Sequence, residues 1–401
     1  MTRLPPALRP LWPAARNVHR VASRAGRHVG RLTAGSSPQA VPTQATLTSR
    51  ETAAAEPDHV RFHLLPPRPT PPRENPIGGP GPLAFWTEVN VAPSDERYVL
   101  EVAAGRLVGE FAATVTPGGR LDVETSPYWG RDWREHPIFI RPRLPETSVV
   151  DGTVLSMASA GSSRNFYHSL LDALPRWGLA TEAFPGLKPD AIVIGHTSPW
   201  DRQLVSLLGL DDYTLITPTP TTIQANRLIV PSMGNSEALT PRWITEWLRA
   251  ALPPRDVRDR PRRIFVSRGN RPRTRRYVQE QALLEQLRPL GFASFDPGAH
   301  SVQDQIDTFA AAEVVVAPHG AGLANLNFSP AGVRVLELFA PTYINPAFWT
   351  ITTNIADSHY RYLTGEPADL DRPARKMLGV QHDVDIPATR VLEAIEELLA
   401  L

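Results

Sequence analysis

The sequence predicts a mixed α/β protein: two Rossmann-like domains facing a cleft, preceded by a small β-rich subdomain and a basic N-terminal arm. Three observations predict it. From Val154, and again from Arg263, short apolar runs alternate with amphipathic stretches, the pattern of strand–helix units over a parallel sheet. Between residues 83 and 150, apolar and polar positions alternate instead, around the turn Pro117-Gly118-Gly119. Residues 1–50 carry eight arginines and no acid, whereas the rest of the chain carries 34 basic and 41 acidic groups. The boundaries read as 1–32 for the arm, 33–82 for a proline-rich linker, 83–150 for the β-rich part, and 151–255 and 256–401 for the two α/β domains.

Composition bounds the class. A chain of 401 residues with 42% hydrophobic and 21% charged residues can bury cores for two domains. No apolar run is long enough to span a bilayer as a helix. Cysteine is absent, so disulfides, zinc–thiolate sites and cysteine nucleophiles are excluded. That suits a cytoplasmic protein. Arginine used in place of lysine, with much alanine and proline, points to a bacterial source.

In the arm, Arg16, Arg20, Arg24, Arg27 and Arg31 recur at helical spacing, while Leu11, Ala15, Val18, Ala22, Ala25, Val29 and Leu32 line the other face. Such a basic amphipathic helix suits peripheral contact with an anionic membrane face through residues 11–32. A transit peptide or a disordered tail has the same composition. The proline run from Pro66 to Pro82 favours extended, unpacked chain. Next come strands at Tyr98 to Val102, Arg106 to Val115 and Leu121 to Thr125. The first α/β set comprises a helix from Asn165 to Leu179, a strand at Ala191 to Ile194, a helix from Asp201, strands at Tyr213 and Arg227, and a helix opening at Pro241 behind Thr240. The second comprises strands at Arg263, Phe292, Val314 and Val333, helices from Tyr277 and Ser301, and a closing helix from Thr389. Ser301 with Asp304 forms a capping box.

The most informative stretch is Val314-Val315-Val316-Ala317-Pro318-His319-Gly320-Ala321-Gly322-Leu323-Ala324-Asn325. It reads as a buried strand, a tight glycine turn and a helix, which aims free N–H groups and a helix dipole at one spot and suits a phosphate. Arg268 follows the strand ending at Ser267, where ligands bind in open α/β sheets, and an arginine there can fork onto a diphosphate. Arg273, Arg275 and Arg276 lie close by in sequence; a solvated basic loop is the plainer reading. A nucleic-acid partner is disfavoured, because few aromatics interleave the arginines and the body is acidic. Asn165, His168 and Asp172 share one helical face, so the carboxylate can orient the imidazole for proton transfer; a helix cap with a locally satisfied histidine is the alternative. Glu337, inside Val335-Leu336-Glu337-Leu338-Phe339, needs a partner, either a ribose diol or a structural group such as an arginine. The triplets Asp369-Leu370-Asp371 and Asp383-Val384-Asp385 follow no buried strand end, which argues against a metal there. No dinucleotide fingerprint, Walker loop or nucleophile elbow occurs.

Taken in order, these segments resemble glycosyltransferase family 61, which includes plant β-1,2-xylosyltransferase, O-linked GlcNAc transferases and bacterial capsular-polysaccharide proteins. The matching pieces are Asn165-Phe166-Tyr167-His168-Ser169-Leu170-Leu171-Asp172-Ala173-Leu174-Pro175-Arg176, Val266-Ser267-Arg268, Arg275-Arg276-Tyr277-Val278-Gln279-Glu280, Gly291-Phe292, Gln305-Ile306 with Phe309 and Ala312, Pro318 to Asn325, and Leu336-Glu337-Leu338. They span about residues 90–365; Gln279 stands where the family often has asparagine. The resemblance implies a GT-B architecture and an inverting, metal-independent transfer, needing no cofactor, from a nucleotide-sugar donor, a UDP-sugar, to a glycan or polysaccharide acceptor. It raises Arg268, His319, Gly320, Ala321 and Gly322 as donor-diphosphate ligands in the second domain, and Arg273, Arg275, Arg276, Asn325 and Glu337 are expected to complete the donor side. Asn165, His168 and Asp172 then face the acceptor in the first, with His168 as first candidate for the base and His319 as second. A non-catalytic polysaccharide-assembly protein, or another GT-B enzyme such as an epimerase, is compatible with the same residues.

Overall fold

The computed structural model describes residues 12–33, 39–78, 96–126, 128, 132–140, 142–159, 161–235, 239–269, 275–340, 343–365 and 382–401. Two sheets organise them. In the first, of ten strands, Thr222–Pro231 is central: it runs parallel to Thr147–Ser156, which is followed outward by Ala191–Val193 and Thr214–Ile216, also parallel. Its other edge pairs antiparallel with Arg106–Val108 near its start and with Tyr98–Ala103 near its end. The strands expected as a separate β-rich subdomain are therefore continuous with the first α/β set. A ten-residue strand has room for two partners on one edge, and that is how the two parts fuse.

Residues 33–82, expected to be unpacked, contribute strands where they are described. Gln44–Thr46 pairs with Arg120–Asp122, Val60–Leu64 with Tyr98–Ala103, and Ile77–Gly78 with His359–Thr364 of the second sheet. Prolines 66 to 76 lie between ladders, where the missing N–H costs nothing. Pro80 and Pro82 lie outside the described residues.

The second sheet is parallel throughout, in the spatial order Phe292–Phe295, Arg263–Val266, Val314–Pro318, Arg334–Phe339, His359–Thr364, Ile77–Gly78. Among its first five strands the chain order is second, first, third, fourth, fifth, so the winding reverses between Arg263–Val266 and Val314–Pro318. Both faces are covered, which explains the unbroken valine run. Phe265, Val314, Val316, Leu336 and Leu338 pack with Leu283, Leu287, Val391 and Ile395 of the covering helices. Ile264, Val266, Val315 and Val335 face the other way, into a core shared with Val99, Leu155, Ile192 and Ile229 of the first sheet.

The arm is a helix, Trp12–Thr33, with no acid in its first turn. It packs on the short 3-10 turns Trp133–Glu135 and Pro137–Phe139. The docked face is not the apolar one. Ser23 is buried, His19 Nε2 lies 3.1 Å from the Glu135 carbonyl, and a Cβ on Gly26 or Gly30 would meet Phe139 O at 2.0 Å or Val41 Cγ2 at 2.2 Å. Small residues let the helix approach backbone closely, and Val18 and Val29 stay 69% and 45% exposed. Leu11 and the side chains of Arg16, Arg31 and Leu32 lie outside the described residues.

Candidate functional site

The reversal point of the second sheet brings together several of the residues expected to serve a donor, where the strand-end rule places ligands. Arg268, two residues past Arg263–Val266, donates from Nη1 to the His319 carbonyl at 3.0 Å, one residue past Val314–Pro318. Gly320 has an extended backbone, so its glycine is not needed for φ. It is needed for space: a Cβ there would lie 1.8 Å from Arg268 Nη1. Gly322 is similar, since a Cβ would come within 2.9 Å of Pro297 Cγ. The helix after the turn, Ala321–Phe328, is 3-10 rather than α.

His319 is almost fully buried. Its ring stacks on Phe339, with Tyr343 and Phe348 also in contact, at centroid distances of 5.2, 5.2 and 5.0 Å. Nδ1 lies 2.5 Å from Glu337 Oε1, and the Tyr360 hydroxyl donates to Glu337 Oε2 at 2.5 Å. Glu337 is 0% exposed with both oxygens engaged, so its partners are His319 and Tyr360 rather than a ribose diol or an arginine. Burial pushes its carboxyl up to about 8. Burial, reinforced by the charges of Arg275 and Arg268, holds the His319 ring well below the usual histidine range. Tyr360 escaped sequence reading because its relation to Glu337 is cross-strand: it pairs in register with Val335, on the same face two residues away.

Arg275 reaches the same place, with Cζ 5.4 Å from the Tyr343 ring centroid. Its backbone has φ +72°, a left-handed conformation that costs a bulky residue about 1 kcal/mol or more. Arg276 points elsewhere: its side chain is exposed and its N–H donates to Asp383 at 2.9 Å. That contact, with Val384 fully buried beside it, makes Asp383-Val384-Asp385 an anchor for the segment. Arg273 and Asp369-Leu370-Asp371 lie outside the described residues. Asn325 is a buried member of the 3-10 helix, and its amide donates to Gln305 Oε1 and the Gly322 carbonyl, so it braces the turn. Gln279 Oε1 accepts from Ala388 N and thereby caps the closing helix.

Across from these, Asn165 caps the turn Phe166–His168 by accepting from Tyr167 N at 3.1 Å, so its side chain serves as a helix cap. The expected single helix is interrupted by a π-helical turn, Ser169–Ala173, before Pro175–Ala183. Pro175 has no N–H for the preceding ladder, and Leu174 N reaches back to Ser169 O at 3.3 Å. The π turn holds His168 Nδ1 2.7 Å from Asp172 Oδ2. Asn235, not foreseen, donates to Asp172 Oδ1 at 2.8 Å and accepts from the Thr240 hydroxyl at 3.0 Å. Gly161 makes room for the imidazole, since a Cβ would sit 2.4 Å from it. Arg176, one turn on, is buried and donates to the Ala158 carbonyl at 2.5 Å; burial draws its guanidinium down to about 10. Phe348 joins the two halves, with ring contacts to Tyr167 at 5.8 Å and to His319 at 5.0 Å.

An α/β protein with arginine, histidine and a glycine turn at the reversal point of a parallel sheet is of the ligand-binding α/β enzyme class. The family model described as Glycosyltransferase 61 matches residues 166–336, less than half of the chain, and over that stretch the match supports a glycosyltransferase of this family. No curated protein matches it. The matched stretch includes His168, Asp172, Arg268 and His319, and ends just before Glu337.

Proposed function

We propose that the protein is an inverting glycosyltransferase of GT-B-like arrangement that moves a hexosyl or pentosyl group from a nucleotide-diphosphate sugar, a UDP-sugar, to a hydroxyl of a glycan or polysaccharide, without a metal. The observation that carries this reading is the contact of Arg268 with the His319 carbonyl above Gly320, at the sheet's reversal point. The acceptor oxygen forms its bond to the anomeric carbon as the bond from that carbon to the diphosphate oxygen breaks. The diphosphate leaves with the electron pair, and its charge meets Arg268, Arg275 and the N–H groups opening the 3-10 helix. The acceptor proton passes to His168. Asp172 holds Nδ1, so Nε2 is the nitrogen that takes it. The helix Trp12–Thr33 rests on an anionic membrane face, which places the enzyme beside a membrane-borne acceptor.

Thermal-shift titration with UDP-, GDP- and CMP-sugars, with and without EDTA, tests the donor and metal assignments: a UDP-sugar should stabilise the protein equally in both. Arg268→Ala should lose turnover by about 10²-fold. His168→Ala should lose about 10²–10⁴-fold in turnover yet bind donor as before. Parental rates in both variants would refute the site, and donor binding without any glycosidic product would mark a non-catalytic protein.

A further inference from the structure

The chain Tyr360–Glu337–His319 is a buried polar relay beside the glycine turn, and the transfer scheme leaves it unused. Each link is 2.5 Å long, and every member comes from the second sheet or the turn that follows it. Tyr360 donates to Oε2, which leaves Oε1 to face Nδ1. Two proton inventories satisfy this geometry. With one proton on the pair, Glu337 is a carboxylate, Nδ1 carries hydrogen, and Nε2 is a bare acceptor. With two, one proton lies in the Glu337–His319 bond and the other on Nε2, so the pair is neutral and Nε2 is a donor.

The surroundings favour two. Among the described residues, the titratable and charged groups facing the pair are Arg268, Arg275, Tyr343 and Tyr360, with Tyr362 near Tyr360; Phe339 and Phe348 add apolar walls. A singly protonated pair is a net anion in an apolar setting, which is costly. Among the described residues its cations are Arg268 and Arg275, which a diphosphate would itself engage. A ligand anion arriving there would then face an anionic pair and a ring nitrogen with no hydrogen to offer. The doubly protonated pair presents the reverse, a neutral wall with an N–H toward the anion.

We propose that the Glu337–His319 pair is held neutral with two protons, so that His319 offers Nε2–H to the donor diphosphate, and that Tyr360 is a positioning residue which keeps Oε2 the accepting oxygen. This rests on the donor-site reading of His319 and makes that residue a hydrogen-bond donor rather than a base. The upward displacement of the Glu337 carboxyl to about 8 is best assigned to the pair as a whole. The sign follows: the binding-competent form is protonated, so affinity is full below about pH 8 and is lost as pH rises through it.

Two measurements test the proposal. In ¹⁵N-histidine-labelled protein without ligand, the His319 Nε2 resonance, assigned by its loss in His319→Gln, should be of the N–H type at pH 7 and turn to the bare type as pH passes about 8. A bare Nε2 at pH 7 overturns the proposal, whatever the ligand. UDP is then titrated between pH 7 and 9, where its terminal phosphate is already ionised. Affinity should weaken about tenfold from pH 7 to pH 9 in the parental protein. In Glu337→Gln, whose amide can donate to Nδ1 and accept from Tyr360 at any pH, that slope should vanish while UDP still binds. Tyr360→Phe should hold its affinity to higher pH, because the Glu337 carboxylate loses the hydrogen bond that stabilises its charged form. Loss of UDP binding in Glu337→Gln, or a flat parental profile, overturns the proposal. If UDP binds at no pH but Nε2 is protonated at pH 7, the donor reading fails and the proton inventory stands.

Discussion

At the residue scale, the site is built from contacts that leave no room for substitution. Gly320 shows this best. A Cβ at that position would overlap Arg268 Nη1, so Gly320→Ala must push the guanidinium off the His319 carbonyl. Its backbone is extended and suits alanine, so folding should be little affected. The expected outcome is a near-parental melting temperature with donor affinity and turnover reduced about as much as in Arg268→Ala, on the order of 10²-fold. A variant that melts early and binds normally would show that the glycine serves packing alone. Arg268 and His319 were legible in the sequence because each follows a strand end, and that rule needs only local pattern. Glu337 was legible as a group in need of a partner, but its partners were not, since Tyr360 comes from a strand 23 residues away that meets it only through register. Asn235 was hidden for the same reason: it reaches Asp172 from 63 residues downstream.

At the scale of elements, periodicity located the arm helix but carried no signal for the face by which it docks. The arm was legible as an amphipathic helix because arginine and aliphatic residues repeat visibly. Its docked face, His19, Ser23, Gly26 and Gly30, has no hydrophobic signature, and small residues that let backbones meet are silent in such a pattern. Docking through them leaves Val18, Val21 and Val29 exposed beside Arg20 and the half-exposed Arg24, on a helix with no acid. Among the described residues no helix is long and apolar enough to cross a membrane, so lipid contact here would be lateral. The full chain should co-sediment with vesicles containing phosphatidylglycerol and not with neutral phosphatidylcholine vesicles. Binding should weaken with added salt and in Val18→Asp/Val29→Asp, which should keep transferase turnover. Equal binding to both vesicle types, or none, would remove the membrane assignment. The interrupted helix around His168 is the other lesson at this scale. Pro175 was in view, yet periodicity alone does not distinguish a kink from the π turn that carries Asp172.

At the scale of the molecule, two strand–helix sets were legible from their alternation, whereas their union was not, because composition says nothing about which apolar faces meet. One core runs from Val99, Leu155 and Ile192 of the first sheet to Ile264, Val315 and Val335 of the second. Polar ties cross the same boundary: Thr245 donates to Asn327 Oδ1 at 2.8 Å, Arg249 donates to the Asn327 carbonyl at 2.6 Å, and Asn354 donates to the Thr240 carbonyl at 3.0 Å. The proline-rich segment adds a strap. Arg242 N donates to Thr70 Oγ1, Arg73 to the Thr240 carbonyl, and Trp349 Nε1 to the Glu74 carbonyl, before Ile77–Gly78 joins the second sheet. Each fully buried aliphatic side chain in the shared core is worth about 1.5–3 kcal/mol relative to exposure, so parting the halves would cost far more than the 5–15 kcal/mol by which a domain is typically stable. The halves should therefore unfold together. Calorimetry is expected to show one transition whose calorimetric and van't Hoff enthalpies agree, coincident with the loss of far-UV circular dichroism. Two resolved transitions, or a stable proteolytic fragment corresponding to 256–401, would show instead that the second sheet stands alone and that the strap and shared core are secondary contacts.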